Sequence, residues 1–329
     1  MTTGEKALDL TRSLVTNTIL PSAVLGIATS AGTVELAAFG ASGSRTAHIG
    51  DRYPLFSITK PLVGLATMRA VEAGQLSLTA PLSDALPEFG TNRTDIVTLE
   101  HLLTHRSGIS EPPLDTPNGL RPTLLTAGAD FAAGSMTRYS TLAFEGVAAM
   151  LEDATGVPLA TSIDSLASSV GATGLNFDAD DTHPVFDAAE LGLDYPALQK
   201  LKHPGAGLYS SADDLLSVGS SLLRGDGAVV HPLTQTAMLR PYTVGIPKLA
   251  PYTEDRGQDW GLTWNLRHAA PGLLERRVFG HGGWAGTEFW IYPDLDLCFV
   301  LLTNIANPSR LGFNSDLLHN AVVTDYAPR

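Results

Sequence analysis

The sequence predicts an α/β (α+β) protein in which an antiparallel sheet is assembled from both ends of the chain, is flanked by helices, and carries a mainly helical inserted region. Three observations lead there. Two β-capable runs stand near the start, at residues 23–28 and 34–39, separated by a short segment that suits a hairpin loop. Strand signals then fade through the middle, where helical patterns joined by loops rich in Gly, Pro and Asp dominate. They return near the end, at residues 261–266, 287–292 and 297–302.

Taken in order, residues 5–20 carry Leu8, Val15 and Ile19, with Leu10 and Leu14 adjoining, as the apolar face of a helix that Pro21 ends. The hairpin follows, with residues 29–33 as its loop. Residues 59–73 are apolar on nearly every side apart from Arg69 and Glu72, and Gly74 supplies a stop, so this helix is expected to be buried. Further helices are expected over residues 98–105, 141–154, 159–168 and 212–223, and a last one over residues 315–326. The expected division is a sheet domain from residues 1–75 and 233–329 and a helical insertion from residues 76–232, with a site in the cleft between them.

The chain has 329 residues, 44% hydrophobic and 17% charged, enough for a large core and unlike a disordered protein. A formal net charge of −13 without any Lys/Arg cluster repels phosphate backbones and anionic lipid, so no nucleic-acid partner is expected. No apolar run reaches the roughly 18 residues a membrane span needs. The opening residues 1–12 mix charged with apolar residues instead of building a signal-peptide core, and the single cysteine, Cys298, rules out an internal disulfide. A cytoplasmic protein is the expectation. Cys298 lies in the apolar run 297–302 and reads as a small buried strand residue, not a reactive thiol.

The segment Phe56-Ser57-Ile58-Thr59-Lys60-Pro61 carries the most chemistry. Ser57 and Lys60 are three apart, and Pro61 is tolerated in a helix only in its first turn, so both side chains fall on one face near a helix start. A serine hydroxyl is a weak nucleophile until a base takes its proton, and a desolvated lysine with a lowered pKa can act as that base. N–H groups at a helix start suit a developing oxyanion. A four-residue pattern with two fixed positions is common by chance; here the lysine heads a helix too apolar to lie in solvent, which favours a site.

The S-x-x-K-P start, followed by Gly74-Gln75-Leu76-Ser77-Leu78 and Pro81-Leu82-Ser83, resembles the serine β-lactamase, DD-peptidase and family VIII carboxylesterase superfamily, especially its class C β-lactamase-like branch. The resemblance continues through residues 102–109 (Leu-Leu-Thr-His-Arg-Ser-Gly-Ile), residues 205–215 and Gly280-His281-Gly282-Gly283, and covers about residues 20 to 305. It implies a β-lactamase/transpeptidase-like fold and a covalent acyl-enzyme on Ser57. Tyr139-Ser140-Thr141 stands where the family has Tyr-x-Asn, which implies a Tyr139 oxygen beside the serine; Lys60 would stabilise its phenolate, and which of the two takes the proton in each step is left open. Thr141 departs from the pattern, since it lacks the amide that contacts an amide substrate, and this points away from β-lactam or peptide recognition. His281-Gly282-Gly283 stands where the family has Lys/His-x-Gly. The resemblance implies that Gly282 and Gly283 let substrate approach a strand, that His281 positions and polarises the Tyr139 side, and that the Trp284 and Ser57 N–H groups form the oxyanion hole.

The other signals are weaker. His101 and His105 have a zinc-compatible spacing but no evident third ligand, and a structural role is expected; no metal or cofactor is implied. Asp178, Asp180 and Asp181 lack the order of a calcium loop and read as a solvated loop. No G-x-S-x-G elbow occurs, and the glycines of residues 280–286 precede a strand, which does not suit a dinucleotide loop. Trp260, Trp284 and Trp290 are expected to offer apolar surface near the third motif. The expected function is a serine hydrolase cleaving a small carboxylic ester. Amide, β-lactam or D-amino-acid peptide hydrolysis and acyl transfer remain alternatives, with a non-catalytic binding module as the minor one.

Overall fold

The computed structural model describes residues 5–270 and 277–326; residues 1–4, at the start of the segment read above for a signal peptide, lie outside these. The strands in chain order are β1 (Ser22–Thr29), β2 (Gly32–Ser42), β3 (Arg45–Thr46), β4 (Tyr53–Pro54), β5 (Tyr209–Ser210), β6 (Asp259–Trp260), β7 (Asn265–Leu266), β8 (Phe279–Gly282), β9 (Glu288–Tyr292) and β10 (Leu297–Thr303). The helices are α1 (Glu5–Thr16), α2 (Thr59–Glu72), α3 (Leu82–Ala85), α4 (Leu99–Leu103), α5 (Leu120–Thr126), α6 (Ala143–Thr155), α7 (Leu159–Ser169), α8 (Tyr195–Leu201), α9 (Ala212–Arg224), α10 (Pro232–Met238) and α11 (Ser315–Tyr326).

First and last strands meet. β1 pairs antiparallel with β10, and the sheet runs β3-β2-β1-β10-β9-β8-β7-β6, while β4 and β5 form a separate pair. The central strands are buried on both faces, which is why their sequences read as continuous apolar runs without alternation. On one face Leu25, Ile27, Leu297, Phe299 and Leu301 pack against Ala7 and Leu14 of α1 and Leu318 and Val322 of α11. On the other, Val24, Cys298, Val300 and Leu302 join Leu215, Leu216 and Leu222 of α9 and the apolar residues of α2 and α6 in the main core. Cys298 is fully buried there, and burial holds its thiol well above the usual range, so it stays protonated. Among the described residues no helix is long and apolar enough to cross a membrane.

Most expected elements are present, with instructive differences. The first helix ends at Thr16, short of Pro21, because the chain turns at Thr18 (φ 58°) and the N–H groups of Ile19 and Leu20 fold back onto the Leu14 carbonyl. The hairpin turn is tighter than residues 29–33, with only Ser30 and Ala31 between β1 and β2. The helix expected over residues 98–105 stops at Leu103, and His105 takes a left-handed conformation (φ 57°) outside it. Residues 261–266 do not form a single strand. Residues 261–264 make the turn between β6 and β7, closed by a 2.9 Å bond from Gly261 N to Trp264 O, with Thr263 at φ 71°. The apolar residues there serve burial of the turn itself, since Leu262 and Trp264 enter the core. Residues 279–282, read as a motif ahead of a strand, are themselves a strand between β7 and β9.

Close packing of α9 on the sheet depends on Gly219. A Cβ there would lie 2.3 Å from the Cys298 sulfur and 3.3 Å from the Phe289 ring. Gly219→Ala is expected to lower stability by about 1–3 kcal/mol despite its better helix propensity. Denaturant unfolding should show Cys298→Ala recovering part of that loss when combined with it; additive losses would contradict the contact.

Candidate active site

Ser57 sits in a 3₁₀ turn (Phe56–Ile58) that runs directly into α2, which places it one turn ahead of Lys60. The expected helix start is thus a 3₁₀ turn, with Pro61 still in the first turn of α2. The turn is entered through Phe56 at φ 46°, a conformation that costs a non-glycine residue energy and must be held by its surroundings. Those surroundings are the Tyr195 and Trp284 rings at 5.9 and 5.5 Å, with Ala188, Leu193, Leu198 and Ala285. The backbone ahead is pinned from two sides: Leu55 N donates to Leu208 O at 2.9 Å, and Thr287 Oγ1 donates to Leu55 O at 3.2 Å.

Lys60 is fully buried. Its Nζ lies 3.1 Å from Ser57 Oγ, 3.2 Å from Thr141 Oγ1 and 2.9 Å from the Gly205 carbonyl. Burial pulls its pKa down to about 7, with Glu111 opposing the shift. A neutral amine has two N–H donors and one lone pair. The Gly205 carbonyl can only accept and Thr141 Oγ1 is free to accept, so those two take the N–H groups and the lone pair faces the Ser57 hydroxyl. Gly205 belongs to a motif noticed in the sequence, but its use as an acceptor for the lysine was not legible there. It has to be glycine, because a Cβ would lie 2.8 Å from Thr141 Cγ2 and 2.9 Å from Thr141 O. Gly205 N donates to His203 Nδ1 at 2.9 Å, and burial, with help from Lys60, keeps His203 neutral with a pKa of about 3.

Tyr139 is brought to the same place. Its hydroxyl is buried, and Ser57 is the neighbour that favours its phenolate, although the pair falls outside hydrogen-bond geometry. Burial nevertheless drives the phenol well above its ordinary pKa, with Tyr252 adding to the effect. Lys60 Nζ sits over the face of the ring, 4.6 Å from its centre, instead of against its oxygen. The expected stabilisation of a phenolate by Lys60 is therefore not what the resting geometry provides. His105 brackets this tyrosine: its carbonyl accepts from Arg138 N at 3.0 Å, its Nδ1 accepts from Ser140 N at 3.2 Å, and its ring lies 4.5 Å from the Tyr139 ring. Thus His105 does not share a helix face with His101, which instead caps α4 through Thr98. Among the described residues no group of three metal-ligating side chains exists.

Glu111 was missed in the sequence. Its Oε2 accepts from Ser140 Oγ (2.8 Å), Thr141 N (2.8 Å) and Leu142 N (3.2 Å), fixing the entry to α6 and so the Tyr139-Ser140-Thr141 segment. A lone glutamate in a proline-bearing loop gives no local sign of this.

His281 lies on β8 with its ring 5.9 Å from that of Tyr139, close but not hydrogen-bonded to it; Nδ1 donates to its neighbour's carbonyl, Gly282 O, at 2.6 Å. Burial, reinforced by Lys60, holds it neutral with a pKa of about 3. Gly283 makes room for the chain's own backbone: a Cβ would lie 2.0 Å from Thr287 Oγ1 and 2.5 Å from Leu55 O. Ser57, Thr141, Tyr139, Gly282, Gly283 and Trp284 line one cleft of about 1040 Å³, which Trp290 also lines. Trp260 does not line it; it is buried behind, packed on Tyr139, His105, His281 and Tyr252.

A second serine has a triad-like arrangement. Ser42 Oγ is 2.7 Å from His183 Nδ1, and His183 Nε2 is 2.8 Å from Asp51 Oδ2. Ser42 does not line the cleft that holds Ser57, and its oxygen already meets Ser22 Oγ at 3.1 Å and Asn304 Nδ2 at 2.8 Å. This network ties β2 to the loop after residue 178, whose acidic residues are held by Arg45 and Arg52 through Asp181 Oδ1 and the carbonyls of Asp178 and Asp180. That loop is thus clamped by two arginines, more than the solvated loop expected from its sequence.

Comparison with known proteins places the family and the fold. The family model described as Beta-lactamase matches residues 9–322. Esterase EstB from Burkholderia gladioli is 30% identical over 328 residues, covering 82% of this chain and 81% of that protein. Among solved structures, EstCE1, described as a hydrolase with promiscuous acyltransferase activity, superposes with a TM-score of 0.81 at 21% identity, covering 97% of each chain. Unliganded simvastatin synthase (LovD) from Aspergillus terreus superposes with a TM-score of 0.77 at 20% identity, covering 97% of this chain and 98% of that one. A family match across nearly the whole sequence, joined to a β-lactamase-like fold, means that this chain belongs to the beta-lactamase family of serine hydrolases.

Proposed function

We propose that the protein hydrolyses small carboxylic esters through an acyl-enzyme on Ser57, with Lys60 as the base. The observation that carries this reading is the buried Lys60 amine 3.1 Å from Ser57 Oγ, with a pKa lowered to about 7. Ser57 Oγ attacks the ester carbonyl and its proton passes to Lys60 Nζ. The N–H groups of Ser57 and Trp284 hold the developing oxyanion. Collapse of the tetrahedral intermediate breaks the bond to the alcohol, whose oxygen takes the proton of the neutral Tyr139 phenol, and the Lys60 ammonium, turning from the ring face to the phenolate oxygen, restores that proton. Water then attacks the acyl-enzyme by the same route in reverse roles, releasing the acid and free Ser57.

Two features support an ester over an amide. Thr141 stands where relatives carry an amide side chain, and its hydroxyl is engaged by Lys60. EstB, the relative at 30% identity, is named an esterase. His281 is proposed to confine the Tyr139 ring, Gly282 to keep the cleft floor open beside the serine, and Gly283 to let the Leu55 backbone ahead of Ser57 pass close by.

A fluorophosphonate probe should add to Ser57. Intact-mass and peptide analysis is expected to show no adduct after Ser57→Ala and full labelling after Ser42→Ala; labelling that survives Ser57→Ala would overturn the assignment. Turnover of a short p-nitrophenyl ester should exceed that of nitrocefin and of a D-amino-acid amide, and fall by about four orders of magnitude in Ser57→Ala. The base must be neutral, so kcat/KM should rise with pH and level off above about 7, dropping about tenfold per unit below it. A profile flat from pH 5 to 9 in the chemical step would contradict a lysine base. Thr141→Val removes one acceptor from Lys60 and should lower kcat/KM by roughly tenfold. An unchanged pH–rate profile and rate in that variant would show that Thr141 does not help hold the amine.

A further inference from the structure

Beyond Ser57, the cleft extends over Gly282 to a polar end that the proposed reaction does not use. Glu288 opens β9 directly opposite Gly282 in register, lines the cleft and is only 7% exposed. Its two carboxyl oxygens stand 3.3 and 3.7 Å from where a Gly282 side chain would begin, so the missing side chain leaves the carboxyl uncovered at the cleft floor. The Trp290 indole N–H donates to Oε2. No ion pair to Glu288 forms among the described residues, because the nearby guanidinium of Arg267 is held 2.7 Å from Asp316 Oδ1 and lies over the Trp290 ring. Ser315 also hydrogen-bonds the carboxylate and Arg267 favours its charge from a distance while Asp316 opposes it, so an ionised Glu288 is only partly compensated and has no direct ion-pair partner.

The same cleft carries further unmet polar atoms. Gln258 and Asn265, 7% and 6% exposed, line the same cleft. The Asn265 amide donates to Gln258 Oε1 at 3.1 Å, which leaves Asn265 Oδ1 and Gln258 Nε2 without partners. Turning both amides over would still leave one N–H and one oxygen unmet. Buried polar atoms of this kind are uncommon where nothing is meant to bind.

We propose that this end of the cleft is a cation-accepting subsite, in which Glu288 takes an ammonium group carried by the ester substrate. The inference rests on the ester-hydrolase reading and deepens it by naming a substrate class. An ammonium brings only donors and a positive charge, which match a carboxylate lacking an ion-pair partner. Burial raises Glu288 to about 7, so the subsite would gain its charge as pH rises through neutrality. Besides Arg267 and Asp316, the charged and titratable groups around it are Arg256, which lines the same cleft over the Tyr252 ring, Tyr252, kept a neutral phenol by burial, and His319, which packs edge-on against Trp290 and is held neutral by burial and Arg267.

The test uses matched esters that differ only in charge, ending in a dimethylammonium or in the isosteric isopropyl group, placed on the acyl chain in one series of p-nitrophenyl esters and on the alcohol in another. In the wild type the charged member of at least one series should be favoured in kcat/KM by roughly tenfold or more at pH 8. That ratio should shrink as pH falls below about 7, and Lys60, which titrates in the same range, divides out of it. In Glu288→Gln the ratio should fall to about one at every pH. Ratios near one in both series of the wild type would overturn the subsite while leaving the ester reading intact. Absence of turnover of the uncharged esters would instead count against the ester reading. Should Glu288→Gln fail to fold, the pH dependence of the wild-type ratio alone decides, and a preference that does not change with pH would contradict the role of Glu288.

Discussion

The site depends on one constraint: an amine is buried where water cannot solvate a charge, next to a hydroxyl that needs a base. An ammonium at the position of Lys60 would lose its hydration, with only uncharged oxygens as hydrogen-bond partners. The fold relieves this by letting the amine give up its proton near neutrality, which is also what makes it useful. The burial of α2, the absence of a side chain at Gly205 and the held left-handed turn at Phe56 all act on the same pair of atoms.

Around that pair the other titratable groups are pushed away from neutrality. Burial raises the Tyr139 phenol and depresses His105, His203 and His281, so each is neutral when the amine titrates. Lys60 is then the group in this cluster positioned to exchange a proton with Ser57 near neutral pH. A neutral phenol fits a donor to the departing alcohol better than a base toward serine, and this supports the division of roles proposed above for Lys60 and Tyr139.

Much of the fold was legible because its elements obey local rules. The apolar stripe of α1, the all-round apolar α2 and the runs of β1 and β10 report burial directly, and burial is what positions them. What escaped depends on contacts distant in sequence. Residues 261–264 look like a strand, yet they form a turn that packs on α2 at Gly64, where a Cβ would lie 2.4 Å from Thr263 Oγ1. Similarly, Ser57, Lys60, Tyr139 and His281 were visible as ordered motifs, while Glu111 and the bracketing role of His105 depend on hydrogen bonds to residues about thirty positions away. Trp260 shows the converse: a residue near a motif in sequence can stand behind the site and not in it.

The most direct test is titration of the lysine itself. With carbon-13 at the lysine ε position, and Lys60→Met to assign the signal, NMR of the resting protein should show Lys60 losing its proton near pH 7. A lysine that remains charged until about pH 10, as an unperturbed one does, would remove the base on which this account is built.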